Sequence, residues 1–213
     1  MTDGINVYYS FRSPYSYLAS ADIVALEKDY TIPVHLRVVL PIAVRSSEFF
    51  RPQNEQWVRY IQLDWHRRAE FLGLPHVWPE PDPVVQDMTT LEISKDQPYI
   101  FRLSKLGVEA ERQGHGPAFA FHVSRLIFGG TKNWNDPEKL SAAVARAGLD
   151  LAVLDAAIDC GDHLDEIEAN QENLRKAGHW GVPTFEFRGE PFFGQDRVEL
   201  LRWRLSKEGI DKQ

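Results

Sequence analysis

The order of the predicted elements indicates an α/β fold in which a block of helices interrupts a small mixed sheet. Three observations carry this prediction: a strand–helix–strand start, a long middle stretch with helical periodicity, and strand character that returns only near residue 182. The chain has 213 residues, which suits one large domain or a small domain with an insertion. We do not expect two independent full-size domains.

The first three elements form a β-α-β unit. Residues 5–11 alternate like a strand, and Ser13-Pro14 then opens an apolar-periodic stretch that predicts a helix. Residues 34–40 predict the second strand. Such an opening implies a parallel pair of strands joined by a right-handed crossover.

The middle of the chain predicts a run of helices from about Pro41. One face of the first helix carries apolar side chains: Trp57, Tyr60, Ile61, Trp65, Ala69 and Leu72. Residues 73–83 contain four prolines and predict a loop. Proline is tolerated in a first helical turn, so three further helices are expected to begin near Asp96-Gln97-Pro98, Gly116-Pro117 and Asp136-Pro137.

The end of the chain restores the sheet. Residues 182–188 predict a strand, Gly189 permits a tight return into 191–193, and a last helix is expected near Asp196. Strand–helix–strand, helical insert and strand–strand–helix is the order of a thioredoxin-like fold. We therefore predict a thioredoxin-like domain of residues 1–44 and 170–213, an all-helical insertion domain of residues 45–169, and an active cleft between them.

Charge and hydropathy exclude several function classes. The formal net charge of -7 opposes binding to nucleic acid or to an anionic membrane surface, since phosphate arrays attract a concentrated positive field. No apolar run approaches about 18 residues, and the first residues lack the basic and apolar regions of a signal peptide. We expect a cytoplasmic protein with no membrane or nucleic-acid partner.

The cysteine and histidine content narrows the chemistry further. Cys160 is the only cysteine, which excludes intramolecular disulfides, CxxC redox chemistry and thiolate metal clusters. Its acidic neighbours, Asp159 and Asp162, favour a structural role over a reactive thiol. The seven histidines lack the local spacing of zinc ligands, so we predict no metal.

Ser13 is the first candidate site residue. Ser13 and Ser16 have the spacing of a CxxC pair without the sulfur, at the expected N-terminus of the first helix. Ser13 followed by proline is also a common helix cap. The same helix start offers unpaired N–H groups and partial positive charge to an anion such as a thiolate. With no histidine nearby in sequence to act as a base, we assign Ser13 as a hydrogen-bond donor to a cofactor's thiolate.

Two further motifs have a structural and a functional interpretation. Val182-Pro183 is either an ordinary edge-strand proline or a cis proline that leaves the Val182 backbone free to pair with a peptide-like ligand. The other motif is Phe193-Gly194-Gln195-Asp196. Its Asp196 is either a helix cap or a partner for a ligand end that carries a carboxylate and an ammonium group.

Three segments together resemble a known family: SPYSYL, GHWGVPTF and FFGQDRVELL. In this order, with a helical insert after the first, they are similar to the 2-hydroxychromene-2-carboxylate isomerases and the related kappa-class glutathione transferases. The resemblance implies a homodimeric enzyme that binds glutathione and a small aromatic substrate. It implies that Ser13 contacts the cofactor sulfur and that the remaining motif residues hold the tripeptide: Val182, Pro183, Phe193, Gly194, Gln195 and Asp196.

Two positions depart from the family pattern. Ser10 stands where an acidic residue is usual, and Trp57 stands where a lysine is usual, which removes an anchor for a carboxylate. Three nearby cations are candidates to replace the missing lysine as that anchor: Arg12, Arg51 and Arg59.

Several side chains are left with two interpretations. Asp64 either pairs with Arg68 at i,i+4 or faces the cleft. Five aromatic side chains are assigned to the core rather than to a substrate wall: Trp57, Trp65, Trp78, Phe119 and Trp134.

Three functions remain open. The leading one is a glutathione-dependent isomerase acting on an aromatic or conjugated carboxylate, and its nearest rival is a kappa-like glutathione transferase or peroxidase. A non-catalytic module that binds thiols or peptides is the third. Disulfide exchange is excluded because the redox cysteines are missing.

Overall fold

A computed structural model describes residues 4–46, 55–87, 90, 92–159 and 161–212. Within the helix that begins at Glu55 it describes the backbone of Glu55, Trp57 and Val58 but not their side chains. Arg51, Cys160 and the Trp57 side chain therefore lie outside the described part of the chain.

The strands form one mixed sheet. Strands β1 (Ile5–Tyr9), β2 (Val34–Val38), β3 (Thr184–Phe187) and β4 (Glu190–Phe193) lie in the order β2-β1-β3-β4. Strand β1 is parallel to β2 and antiparallel to β3, and β4 is antiparallel to β3. This topology confirms the predicted thioredoxin-like fold.

The strands are shorter than predicted because turns take over the backbone hydrogen bonds. After β1, the Ser13 N–H donates to the Ser10 carbonyl at 3.0 Å, so the chain leaves the sheet before Phe11. Between β3 and β4, Arg188 and Gly189 both take positive φ, of 51° and 85°. Glycine adopts that conformation at no steric cost, which explains the tight return at Gly189.

The helices follow the predicted order. They are α1 (Pro14–Asp29), α2 (Ile42–Arg45), α3 (Glu55–Phe71), α4 (Ile100–Arg112), α5 (Gly116–Phe128), α6 (Pro137–Arg146), α7 (Leu151–Ile158), α8 (His163–Lys176) and α9 (Val198–Lys207). Helices α5 and α6 begin where their proline signals predict, and Asp136 caps α6 through the Glu138 and Lys139 N–H groups. A 3₁₀ turn, Gln195–Arg197, precedes α9.

One hydrophobic core joins the sheet to the insertion helices. Phe11 packs edge-to-face on Phe119 of α5, with ring centroids 5.6 Å apart. Phe119 and Trp134 are buried, as predicted. On α3 the predicted apolar face is only partly correct: Trp65 is 1% exposed, whereas Tyr60 is 52% exposed. The domain boundaries at 45 and 169 stay a prediction.

The outer edge of β2 is covered by side chains of the insertion. The Leu36 N–H donates to Glu111 Oε2 of α4 at 3.0 Å. Asn170 of α8 donates through Nδ2 to the Val38 carbonyl at 3.1 Å. Backbone groups at this edge are thus satisfied without another strand.

Candidate active site

A cleft of about 450 Å³ opens at the N-terminus of α1. The start of α1 supplies Ser13 to its wall, α2 and α3 supply another side, and the segment before β3 supplies Val182. Phe193, at the end of β4, also lines it. The fold therefore brings Ser13, Val182 and Phe193, which are far apart in sequence, to one cavity.

Ser13 caps α1, as the structural interpretation predicts. Its Oγ accepts a hydrogen bond from the Ser16 N–H at 3.2 Å. The hydroxyl also donates to the Val182 carbonyl, but at 3.4 Å that bond is long and weak. The hydroxyl proton is therefore poorly engaged and available to a stronger acceptor in the cleft.

The Val182-Pro183 peptide bond is cis, as the functional interpretation expects. Within the described residues, the Val182 N–H has no hydrogen-bond partner, while its carbonyl faces the Ser13 hydroxyl. The Pro183 carbonyl accepts from the Gly194 N–H at 2.9 Å, which ties the turn after β4 to this segment. The segment thus presents a free backbone donor beside Ser13.

An aromatic stack supports the mouth of the cleft. Phe193 lies on His179 with ring centroids 3.9 Å apart and an interplanar angle of 23°. His179 Nδ1 accepts from the Gly181 N–H at 2.9 Å, and burial lowers the pKa of this imidazole, so it is neutral at pH 7. A Cβ on Gly181 would lie 2.5 Å from the Phe193 ring, so only glycine permits this packing.

The last three predicted ligand residues lie outside the cleft lining. Gly194 takes φ 110°, and Gln195 is buried with its Oε1 accepting from Arg68 Nε at 2.8 Å. Asp196 is half-exposed and pairs with Arg197 at 2.6 Å. No capping bond from Asp196 is present, and α9 begins two residues later, so the cap interpretation is wrong. Its role toward glutathione stays a prediction.

The cleft contains two arginines in different surroundings. Arg12 makes a bidentate ion pair with Asp82 at 2.8 and 2.9 Å and donates to Gln86 at 2.8 Å. It is therefore neutralised by the loop after α3. Arg45 of α2 instead donates to two backbone carbonyls, those of Leu40 at 2.7 Å and Trp180 at 3.0 Å.

The walls of the cleft are largely aromatic. Trp65 forms the buried side, while Trp78 and Trp180 are 39% and 44% exposed. The assignment of Trp78 to the core is therefore wrong: it lies on a loop, held by a bond from its Nε1 to Asp82 at 3.2 Å. Flat apolar walls of this kind suit a planar conjugated ligand.

Asp64 neither pairs with Arg68 nor lines the cleft. It accepts from the Tyr15 hydroxyl at 2.8 Å and from Arg67 at 2.9 Å, so the proposed i,i+4 pair with Arg68 is wrong. Tyr15 lines the cleft, whereas Asp64 stands behind it. Burial, reinforced by the bond to Asp64, raises the pKa of Tyr15 well above its usual value, so the phenol stays protonated.

The positions that depart from the expected pattern are partly described. Ser10 lines the cleft, and its buried Oγ has no hydrogen-bond partner in the described structure. Arg59 is exposed and does not line the cleft.

Among the described residues, no cluster of three or more His, Cys, Asp or Glu is arranged to hold a metal ion. None of the helices in the described ranges is long and apolar enough to cross a membrane.

A comparison with protein families matches residues 4–206 to the DSBA-like thioredoxin domain. The chain belongs to this family. A DSBA-like thioredoxin domain that spans nearly the whole chain is consistent with the mixed sheet and with the helical insertion.

Individual relatives of this DSBA-like protein are distant. The 2-hydroxychromene-2-carboxylate isomerase of Pseudomonas putida is 21% identical over 216 residues, covering 97% of this chain and 98% of that protein. A solved 2-hydroxychromene-2-carboxylate isomerase has a TM-score of 0.66 at 20% identity, covering 95% and 94% of the two chains. The cytosolic disulfide reductase DsbM of Pseudomonas aeruginosa, solved with GSH, has a TM-score of 0.54 at 16% identity over 95% and 99%.

Sequence patterns missed several residues that line the cleft of this DSBA-like domain, and three of them matter for its chemistry: Trp180, His66 and Arg45. Trp180 and His66 line the cavity, but neither carries a local signal that separates a wall residue from any other aromatic side chain. Local sequence patterns do not identify Arg45 either, because its contact with Trp180 joins residues 135 positions apart in the chain.

Proposed function

We propose that this protein is a glutathione-dependent isomerase that acts on an aromatic or conjugated carboxylate. The observation that carries the proposal is that one cleft contains both the weakly engaged Ser13 hydroxyl, at the start of α1, and the unbonded N–H of Val182. A thiol-bearing peptide needs both an electropositive site for its sulfur and a backbone partner.

The residues present fit glutathione. An unpartnered N–H at Val182 suits the cysteinyl backbone, and the weakly engaged Ser13 hydroxyl suits a thiolate acceptor. The turn of Gly194, Gln195 and Asp196 is tied to Pro183 and offers a carboxylate to the γ-glutamyl ammonium. Bound glutathione would supply a nucleophilic thiolate that adds to a conjugated bond and leaves again unconsumed.

The chain's own residues orient the substrate and exclude water. Trp65, Trp78 and Trp180 give the cleft flat walls, and the protonated Tyr15 phenol is held in place by Asp64. Ser13 holds a proton at Oγ, which it would donate in a hydrogen bond to the sulfur of bound glutathione. The missing CxxC pair favours isomerisation over disulfide exchange, and the isomerase relative spanning the whole chain supports the same conclusion.

Calorimetry with glutathione, followed by turnover on 2-hydroxychromene-2-carboxylate, tests the proposal. Binding together with many turnovers per molecule of cofactor is the expected result. Consumption of one glutathione per turnover would instead favour a kappa-like transferase or peroxidase. No binding at millimolar glutathione would refute both enzyme functions and leave a non-catalytic peptide-binding module.

A further inference from the structure

We infer that His179 is a positioning residue for the Val182 backbone: its Nδ1 holds the Gly181–Val182 segment in place while the ring is neutral, and acid releases the segment. This rests on the proposed function to the extent that Val182 binds the cofactor, and it adds a pH-dependent control of that same contact. The family resemblance assigns no role to the His179 side chain.

The peptide unit that presents the Val182 N–H is fixed by two side chains. Just before it, the Gly181 N–H donates to His179 Nδ1 at 2.9 Å. The Gly181 carbonyl, in the same peptide unit as the Val182 N–H, accepts from the Thr184 hydroxyl at 2.7 Å. The N–H and C=O of a trans peptide unit point in opposite directions, so the bond from Thr184 directs the Val182 N–H away from it. Both polar groups of Gly181 are thus engaged, while the Val182 N–H has no partner among the described residues.

Gly181 is the residue of this segment that needs such restraint. Glycine has more backbone freedom than any other residue and loses more entropy when it is fixed. A larger residue could not supply the restraint, because its Cβ would lie 2.5 Å from the Phe193 ring and 3.1 Å from His179 Cε1. The conformation before the cis proline therefore depends on hydrogen bonds from neighbouring side chains.

The bond to Gly181 requires a neutral imidazole. A backbone N–H can only donate, so Nδ1 of His179 is unprotonated and the ring proton lies on Nε2. An imidazolium carries N–H groups at both positions, so its Nδ1–H would face the Gly181 N–H. Protonation therefore turns the acceptor into a second donor and breaks the bond. Burial lowers the pKa of His179 from its usual 6.5, so the neutral form persists to more acid solution.

Packing keeps the imidazole in the orientation that this bond needs. The ring stacks on Phe193 with centroids 3.9 Å apart and an interplanar angle of 23°, and it lies nearly parallel to the Trp180 ring at 5.4 Å and 17°. A rotated imidazole would lose these contacts. The ring therefore offers Gly181 no second acceptor once Nδ1 is protonated.

Charged side chains on the elements around His179 have other partners: Arg45 of α2 with backbone carbonyls, Glu172 of α8 with Arg175 and Lys176, Glu190 of β4 with Arg204, and Asp196 with Arg197. Within the described residues, none of them bonds the imidazole. A protonated His179 would have no counterion there, whereas Arg45 already donates to the Trp180 carbonyl of the same peptide unit. Acid therefore favours release of the segment over a charged bond in its place.

The binding test uses S-methylglutathione, which has no titrating thiol, in calorimetry at pH 7.5 and at one pH unit below the His179 pKa measured by NMR. His179→Asn supplies an oxygen that accepts from an N–H two residues on and does not titrate. His179→Phe keeps a flat ring for the stack but removes the acceptor. His122→Asn is the matched control, because His122 is another part-buried histidine with a lowered pKa, on α5 and outside the cleft lining. Thermal unfolding checks that each variant is folded at both pH values.

We expect wild-type affinity to fall by about five- to thirtyfold at the acid pH, the range for leaving the backbone of one residue unfixed. The sign follows from the bond: the contact is present while His179 is neutral and is lost as pH falls through its folded-state pKa. His179→Asn should bind equally at both pH values, and His179→Phe should be weakened by the same factor at both. His122→Asn should follow the wild type.

The ligand-free protein separates this inference from the proposed function. The nitrogen–nitrogen coupling across the bond from Gly181 to His179 Nδ1 should be present at pH 7.5 and vanish at the acid pH, and the order parameter of the Gly181 amide should fall with it. His179→Asn should keep that order parameter high at both pH values.

Acid weakening that persists in His179→Asn, or wild-type affinity in His179→Phe at pH 7.5, would overturn the inference. Loss of the pH dependence in His122→Asn would overturn it as well. A wild-type protein that binds no S-methylglutathione and no glutathione refutes the proposed function, yet an order parameter that falls with His179 protonation would still establish the positioning role. A Gly181 amide that stays equally ordered at both pH values would refute that role even if glutathione binds.

Discussion

Replacing Ser13 separates its capping role from its proposed role toward a thiolate. Ser13→Ala removes one capping bond of 3.2 Å and one weak donation of 3.4 Å. Loss of an N-cap typically costs about 1 kcal/mol, and the 3.4 Å contact adds little. The free energy of unfolding should therefore fall by about 1 kcal/mol, which leaves the protein folded.

The effect on bound glutathione should be larger than the effect on stability. A hydrogen bond to a charged group contributes about 1.5–3 kcal/mol, equivalent to about one to two pKa units. In the wild type the bound thiol should titrate below the roughly 8.5 of a free cysteine thiol, and Ser13→Ala should raise it by that amount. Turnover should fall with it, while the backbone contact at Val182 preserves binding.

Thiolate absorbance of the complex against pH, measured beside turnover, reads out both effects. Ser13→Asp keeps a capping oxygen but places a negative charge against the sulfur, so it should retain stability and lose thiolate binding. Asp150→Ala is the control, because it removes the cap of α7, where Asp150 accepts from the Ala152 N–H at 2.8 Å. Identical titration curves and identical turnover in the wild type and in Ser13→Ala would show that Ser13 acts only as a helix cap and has no role toward the thiolate.

Three further substitutions test other parts of the molecule. Asp196→Asn should weaken glutathione binding about ten- to a hundredfold in calorimetry, because a charge-assisted hydrogen bond is lost. Unchanged affinity would show that Asp196 does not bind the γ-glutamyl ammonium group. Asp82→Asn leaves the part-buried Arg12 charge without its counterion and should lower the free energy of unfolding by about 3 kcal/mol, the low end for a broken buried ion pair. An unaltered urea midpoint would contradict this. Burial raises the pKa of the Asp22 carboxyl above its usual 3.8, so the folded protein binds this proton more readily than the unfolded chain. The resulting stabilisation of the fold is fully present below pH 3.8 and is lost as pH rises through the folded-state pKa. Asp22→Asn should therefore gain stability over the wild type between pH 4 and 7, and a pH-independent difference would exclude it.

The parts of the fold that sequence predicted are those set by local chemistry. Ser13-Pro14 and Asp136-Pro137 place helix starts because a capping side chain and a fixed proline φ act on adjacent residues. Gly189 marks the turn between β3 and β4 for the same reason. The sequence predicts too long a first strand because it does not show the turn after β1. There the Ser13 N–H bonds the Ser10 carbonyl, three residues earlier, and the chain leaves the β-ladder.

The parts of the site that sequence did not predict depend on contacts distant in the chain. Its aromatic character predicts a core position for Trp78, yet the bond from Trp78 to Asp82, on the loop that Arg12 holds, places it on the cleft wall. Arg45 and Trp180 are 135 positions apart, and only the tertiary fold brings the guanidinium to the Trp180 carbonyl. No periodicity reports such pairings, since each is fixed by tertiary packing rather than by neighbours.

The covered edge of β2 limits how this protein can associate. A second chain could extend the sheet there only by displacing Glu111 from the Leu36 N–H and Asn170 from the Val38 carbonyl. Each displacement would leave a buried polar group seeking a new partner. The β2 edge therefore disfavours a continuous sheet across two subunits, and two copies of this chain could associate only through their helices or on the side of β4.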